Sequence, residues 1–189
     1  MERVHKVKSK ERIKKNAEVF TPDFLVNEML DKLPEENWEE GKTFCDPACG
    51  DGQFLVNVLH RKLKANHDPL NAIQSTYGCD IMQDNIRICR MRLLAILKEY
   101  TKITKDHIKA VLRNIVWLNM KKYPNGSLDY DFSFKNGINR KDIARWLEYV
   151  NNGILDNFDS EELPVHNNAA PKLKEVSILD LMRKAKSCQ

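Results

Sequence analysis

No run in the 189 residues is long and apolar enough to span a bilayer, and no apolar segment follows the basic start. Neither a membrane span nor a secretory signal is therefore expected, and a cytoplasmic protein is the default expectation. The five cysteines (Cys45, Cys49, Cys79, Cys89 and Cys188) are odd in number and form no C-x-x-C pair. That excludes a disulfide framework and a zinc site, and leaves Cys45, Cys49, Cys79 and Cys89 as small buried residues near a sheet. The histidines are scattered without ligand spacing, so no metal is expected. There is no G-x-G-x-x-G and no Gly-Lys-Ser/Thr, which rules out the dinucleotide fingerprint and the P-loop. Charge of one sign is also scarce overall, at a net +4. The exception is residues 1–15, where Arg3, Lys6, Lys8, Lys10, Arg12, Lys14 and Lys15 face only Glu2 and Glu11. Such an arm suits a phosphate backbone, or equally a solvated flexible tail.

What is present is a short string with chemical content. Thr43-Phe44-Cys45 reads as a strand, and Asp46-Pro47-Ala48-Cys49-Gly50-Asp51-Gly52 as a turn. From Gln53 on, Phe54, Leu55, Val58, Leu59 and Leu63 recur at helical spacing. Gly50 and Gly52 let the backbone turn tightly and approach a ligand closely. Asp46 falls at a strand end, where an open α/β sheet places its ligand-binding groups.

The string Asp46 to Phe54 resembles the cofactor loop of S-adenosylmethionine (SAM) dependent, adenine-specific DNA methyltransferases, in its D-P-x-C-G-x-G-x-F form. Upstream, Glu18-Val19-Phe20-Thr21-Pro22 is similar to the short N-terminal motif of the type I and gamma-type arrangement, with 24 residues from Pro22 to Asp46. The resemblance implies a doubly wound, Rossmann-like α/β sheet with helices on both faces, SAM as cofactor and DNA as substrate, in the setting of restriction-modification. It places Phe20, Thr21 and Pro22 beside the cofactor's methionine end and assigns Asp46, Ala48, Cys49, Gly50 and Gly52 to the cofactor loop. A second strand, Ser75 to Ile81, ends on Asp80, which the resemblance gives to the ribose hydroxyls, with Ile81 against the adenine ring. Asn119, after a third strand at Asn114–Leu118, stands where the family often has an aspartate for the adenine amino group; an asparagine carbonyl accepts that bond as well. As alternatives from the residues themselves, Asp80 can cap a helix, though Asp84 suits that role better, and Asn119 can be a turn residue.

Between these points, Thr21 reads as a helix N-cap with Pro22 at the first helical position. That helix runs to about Leu33, with Phe24, Leu25, Met29, Leu30 and Leu33 on its inner face. Pro34 to Lys42 reads as a polar connection. The stretch from Asp84 to Tyr100 reads as a helix buried through Ile86, Cys89, Leu93 and Leu97, with Arg87, Arg90, Arg92 and Lys98 mainly on a solvated face. A short helix spans Lys105 to Leu112, and Asn139 can cap another from Arg140 to Val150 through Ile143, Trp146, Leu147 and Val150. Residues 151–176 read as linker and Ser177 to Lys186 as a short helix. The expected organisation is a basic arm at 1–15, a SAM-binding domain at 16–150, and a linker with a terminal helix at 151–189.

One family feature is missing. The catalytic signature is Asn, Asp or Ser, then Pro-Pro, then an aromatic residue, and no such tetrapeptide occurs. In the family the first side chain and a proline carbonyl orient the target amine, and the aromatic ring stacks on a flipped-out base. Asp129 to Phe134 can supply the fourth strand, after which Asn136 keeps the acceptor without the prolines or the ring; in another register the segment is only a loop. The leading expectation is methyl transfer to adenine in duplex DNA, with the sheet truncated after strand four and a partner chain supplying sequence recognition. The alternatives are a degenerate SAM-fold binding module or partner subunit, and a methyltransferase acting on RNA or protein.

Overall fold

The computed structural model describes residues 21–117 and 140–153. Expectations for Phe20, Asn119, Asn136, Asn139, the Asp129–Phe134 strand, the basic arm and the 151–189 tail (beyond residue 153) lie outside the described residues. In chain order the elements are α1 (Asp23–Asp31), a 3-10 turn (Glu35–Trp38), β1 (Phe44–Asp46), α2 (Gln53–Lys64), α3 (Pro69–Gln74), β2 (Thr76–Asp80), α4 (Gln83–Tyr100), α5 (Lys105–Asn114), β3 (Ile115–Trp117) and α6 (Arg140–Asn151).

The three strands form one open parallel sheet in the order β1-β2-β3. Asp46 pairs with Gly78, Gly78 with Ile115, and Asp80 with Trp117. Parallel neighbours need a crossover, and here helices make it. The face carrying Gly78 and Ile115 receives α2, α4 and α5, whose Leu55, Leu59, Leu93, Leu94, Leu97, Ile108 and Val111 are buried with Ile115 in the main core. A Cβ on Gly78 would lie 2.4 Å from Leu55 Cδ1, so this glycine lets α2 sit directly on β2. The alternation of the strands puts Cys45, Tyr77, Cys79 and Val116 on the other face, where Cys79 is buried with its thiol on the Pro47 carbonyl and the other three are exposed or half-buried. The expected α/β class is therefore present as a small open parallel sheet flanked by helices. The layer expected on its second face is not found among the described residues.

Several local expectations need correction. Pro22, not Thr21, is the N-cap of α1: its backbone is extended, and its carbonyl accepts from the Leu25 and Val26 amides. The helix ends at Asp31, and it buries Val26 and Leu30 against Val58 of α2. Phe24, Leu25 and Met29 point outward, Phe24 being 72% exposed. The polar residues decide this rotation, because Asp23, Asn27 and Asp31 all bond to α2. The Pro34–Lys42 connection holds the 3-10 turn, which stacks Trp38 on Phe44 at 4.9 Å between ring centroids. Helix α3 was not foreseen, although its signals are present: Asp68 accepts from the Asn71 amide and Pro69 opens the helix. Cys45 is exposed, whereas Cys49, Cys79 and Cys89 are buried as expected.

Arg90 also departs from the solvated reading. It is buried, and its guanidinium donates to the Ile115 and Leu112 carbonyls, at 2.9 and 3.3 Å, which joins the end of α5 to the start of β3. Burial lowers its pKa to about 10, so it stays charged near neutrality. Helix α6 buries Ile143, Trp146 and Val150 into the same core.

Candidate functional site

The loop from Asp46 to Gln53 lies at the carboxyl end of β1 and is held on every side. Asp46 Oδ1 accepts from the Ala48 amide at 3.1 Å, which starts the turn. The Cys49 amide donates to the Cys79 carbonyl at 2.9 Å, tying the loop to β2. The Gly50 amide donates to Asp80 Oδ2 at 3.0 Å. Gly52 closes the turn and caps α2 with φ of +87°, a left-handed conformation that glycine adopts without strain. A Cβ there would also meet Cys89 Sγ at 2.5 Å, because α4 passes directly behind it.

The structure thus joins Asp46, Ala48, Cys49, Gly50, Gly52 and Asp80 in one crest. Asp80 is fixed by three donors: the Gly50 amide on Oδ2, and the Met82 amide (2.7 Å) and Asn85 Nδ2 (3.3 Å) on Oδ1. Met82, not Asp84, is the N-cap of α4, and Asp80 anchors its amide. The capping role weighed for Asp80 is therefore partly real, since it steadies the entry to α4 as well as the loop. Ile81 follows with 42% of its surface exposed. The Trp117 indole N–H donates to the Ile81 carbonyl at 2.8 Å and so fixes the chain just past Asp80.

The Asp46 carboxylate at the end of β1 senses the charge at the end of β2. The Asp46 pKa is raised, chiefly by burial and further by the Asp80 charge, against the lowering effect of the Ala48 amide. The Cys89 hydrogen bond first, then burial, and further the Cys89, Asp46 and Asp80 charges push the Cys49 thiol well above its ordinary range. Burial also raises Cys79, to about 12. These are protonated packing thiols, not nucleophiles.

Thr21 and Pro22 come to the same crest through Asp23. Its Oδ1 accepts from Gln53 Nε2 and, at 3.0 Å, from Asn57 Nδ2. On the other side of the loop, Arg92 of α4 donates to the Asp51 carbonyl (3.0 Å) and to Gln53 Oε1 (2.7 Å), and pairs with Asp51 Oδ1 at 3.1 Å. Sequence reasoning assigned no role to Asp23, Asp51 or Gln53 and left Arg92 to solvent. One signal was available. Asp23, Asn27 and Asp31 repeat every fourth residue, and so do Gln53, Asn57 and Arg61; two such polar stripes fit an antiparallel or parallel helix seam. Among the described residues no group of three or more His, Cys, Asp or Glu could hold a metal ion, and no helix is long and apolar enough to cross a membrane.

A glycine turn beside acidic strand ends, on the carboxyl edge of an open parallel sheet, defines an α/β domain whose crest stands where open α/β sheets generally place their ligand-binding groups. More particularly, residues 4–149 match the family described as N-6 DNA Methylase, and the chain belongs to that family. It is also similar to the type II methyltransferase M.VspI of Vibrio sp. (strain 343), at 34% identity over 95 residues; that match covers half of this chain and a fifth of the relative's length. No solved structure matches.

Proposed function

We propose that the crest binds SAM and that the protein serves methyl transfer to the exocyclic amino group of adenine in DNA. The observation that carries this reading is the joining of the two motifs, Thr21-Pro22 and Asp46–Gln53, at one sheet edge through Asp23 and Gln53. The donor set suits such a ligand. Asp46 and Asp80 bring two mutually repelling carboxylates, which favours a cation, and SAM carries a sulfonium and an ammonium. The N-terminus of α2 suits the ligand's carboxylate, and exposed Ile81 offers an apolar surface for a purine ring.

Asp80 has about four acceptor positions, of which three are engaged. One ribose hydroxyl can bond Oδ2 directly, and the second can replace the long Asn85 contact. Asp46 holds the loop open by its bond to the Ala48 amide, and Phe20, Thr21, Pro22 and Asn119 complete the pocket in this reading. When bound, SAM supplies an electrophilic methyl on a positively charged sulfur. Asn136 would hold the target amine by accepting a hydrogen bond from it.

A second reading rests on a specific observation: none of the 189 residues forms the Pro-Pro-aromatic signature. In that case the chain binds SAM, and a partner chain orients the base and reads the DNA sequence. The test is methyl transfer from tritiated SAM to unmethylated duplex DNA, beside SAM titrations of wild type and Asp80→Ala. Label in adenine establishes the transferase. Binding lost in Asp80→Ala, without transfer by wild type, assigns the partner-dependent module. Absence of binding by wild type rejects both.

A further inference from the structure

The loop is braced from two sides by residues that the two motifs do not contain. Arg92 reaches it from α4 and holds the Asp51 carbonyl, the Asp51 carboxylate and Gln53 Oε1 together. The amide end of the same Gln53 donates to Asp23, at the first turn of α1 and directly after Thr21-Pro22. Gln53 is thus oriented at both ends, its oxygen by Arg92 and its nitrogen by Asp23. A side-chain amide held in this way transmits position: a shift of α4 or α1 moves the first residue of α2. Two further rungs continue the seam. Asn57 Nδ2 donates to Asp23 Oδ1. Arg61 donates to the Asn27 backbone and side-chain oxygens and pairs with Asp31 at 2.7 Å, while stacking on Trp38.

Resting on the SAM reading above, we propose that Arg92, Gln53 and Asp23 are positioning residues that set the gap between the glycine loop and Thr21-Pro22, and so the affinity for the amino-acid end of the cofactor. The outer rungs, Asn27 and Asp31 with Arg61, only fasten the two helices. This division follows from placement. The inner rung touches the loop at Asp51 and Gln53, whereas the outer rungs meet at Arg61, about two turns down α2 and away from the crest. A charge-assisted bond lost at the inner rung corresponds to roughly tenfold in affinity or more.

The full chain is titrated calorimetrically with SAM and with 5′-methylthioadenosine, which keeps the nucleoside and lacks the amino-acid end. Melting curves establish that each variant is folded. Asp23→Ala and Arg92→Met should bind SAM about tenfold more weakly while holding methylthioadenosine within about twofold of wild type. Asp23→Asn keeps an oxygen for Gln53 Nε2 and should recover most of the SAM affinity. Arg61→Met should melt earlier and bind both ligands as wild type does. If Arg92→Met does not fold, Arg92→Lys, which keeps the charge but cannot span Asp51 and Gln53, gives the same comparison. Equal losses on both ligands would mean a general loosening and overturn the proposal, and so would unchanged SAM affinity in the Ala and Met variants. If wild type binds neither ligand, the SAM reading has failed and the brace falls with it.

Discussion

The two ends of the sheet solve opposite problems. At the amino ends of the strands, the buried side chains of Lys62, Asn114 and Arg90 each have complementary partners. Lys62 donates to the Lys42 carbonyl at 2.8 Å and to Ser75 Oγ at 2.7 Å, which ties the approach to β1 to the start of β2. Asn114 donates to the Ile73 and Gln74 carbonyls, at 3.1 and 2.9 Å, and Arg90 holds the Ile115 carbonyl at the start of β3. At the carboxyl ends, the Asp80 charge helps to raise the pKa of buried Asp46, and a left-handed turn is packed against a thiol. One end is built to stay shut. The other holds the Asp46 carboxylate at a cost, through its burial and the nearby Asp80 charge, which is the pattern expected where function draws on stability.

The comparison is broken most directly at the amino end. Arg90→Met would leave the Ile115 and Leu112 carbonyls buried without their charged donor, at roughly 1–3 kcal/mol each. A loss of about 3 kcal/mol in urea unfolding is expected, and a loss under 1 kcal/mol would show that water reaches these carbonyls and that this end is not the rigid one.

Gly52→Ala attacks the crest. A non-glycine residue at φ of +87° costs about 1–2 kcal/mol, and the new methyl also meets Cys89 Sγ. A drop of about 2 kcal/mol with weakened SAM binding is expected. Adding Cys89→Ala should restore part of the stability, since it removes the clash and leaves the backbone strain. No recovery in the double variant would mean that the conformation alone sets the cost.

Much of this division was legible beforehand, and the reasons for the rest are physical. The crest announces itself because a glycine turn after a strand needs particular residues at particular positions: Asp46, Gly50, Gly52 and Asp80 all fall where their spacing put them. Period-3.6 patterning likewise found the buried faces of α2 and α4. The amino end was illegible because Lys62, Arg90 and Asn114 look like surface residues in a sequence. Their burial depends on carbonyls distant in the chain, which no local pattern encodes. The inner face of α1 was misjudged for a related reason. Phe24, Leu25 and Met29 offer the stronger apolar stripe, but Asp23, Asn27 and Asp31 bond to α2 and turn that stripe outward.

A smaller effect sharpens the contrast through pH. Burial lowers the Lys62 pKa to about 8, below the ordinary lysine value of 10.5. The folded state therefore releases this proton more easily than the unfolded state, so the cost of the buried cation is full below about pH 8 and disappears as pH rises toward 10.5. Lysine alone makes stability rise across that window, while the raised Cys49 and Cys79 pKa values make it fall. The difference between wild type and Lys62→Met removes the cysteine contribution. Wild type should gain on the variant from pH 8 to 10, and a flat difference would show that Lys62 is hydrated.

The smallest stability change expected is the most informative about function. Asp46→Asn keeps an oxygen for the Ala48 amide and removes the charge opposing Asp80. In wild type the raised pKa means that the protonated carboxyl contributes stability fully present below about pH 3.8, and lost as pH rises through the raised value. At neutral pH the variant should therefore be more stable than wild type, by up to about 1 kcal/mol. The gain should shrink as pH falls toward 3.8, where wild type is neutral as well. SAM affinity should move the other way, because the carboxylate that destabilises the crest is one of the two that attract a cation. Thermal melts across pH, read beside a SAM titration at neutral pH, separate the cases. Stability and affinity falling together would make Asp46 an ordinary structural residue, and the contrast between the two ends of the sheet would not hold.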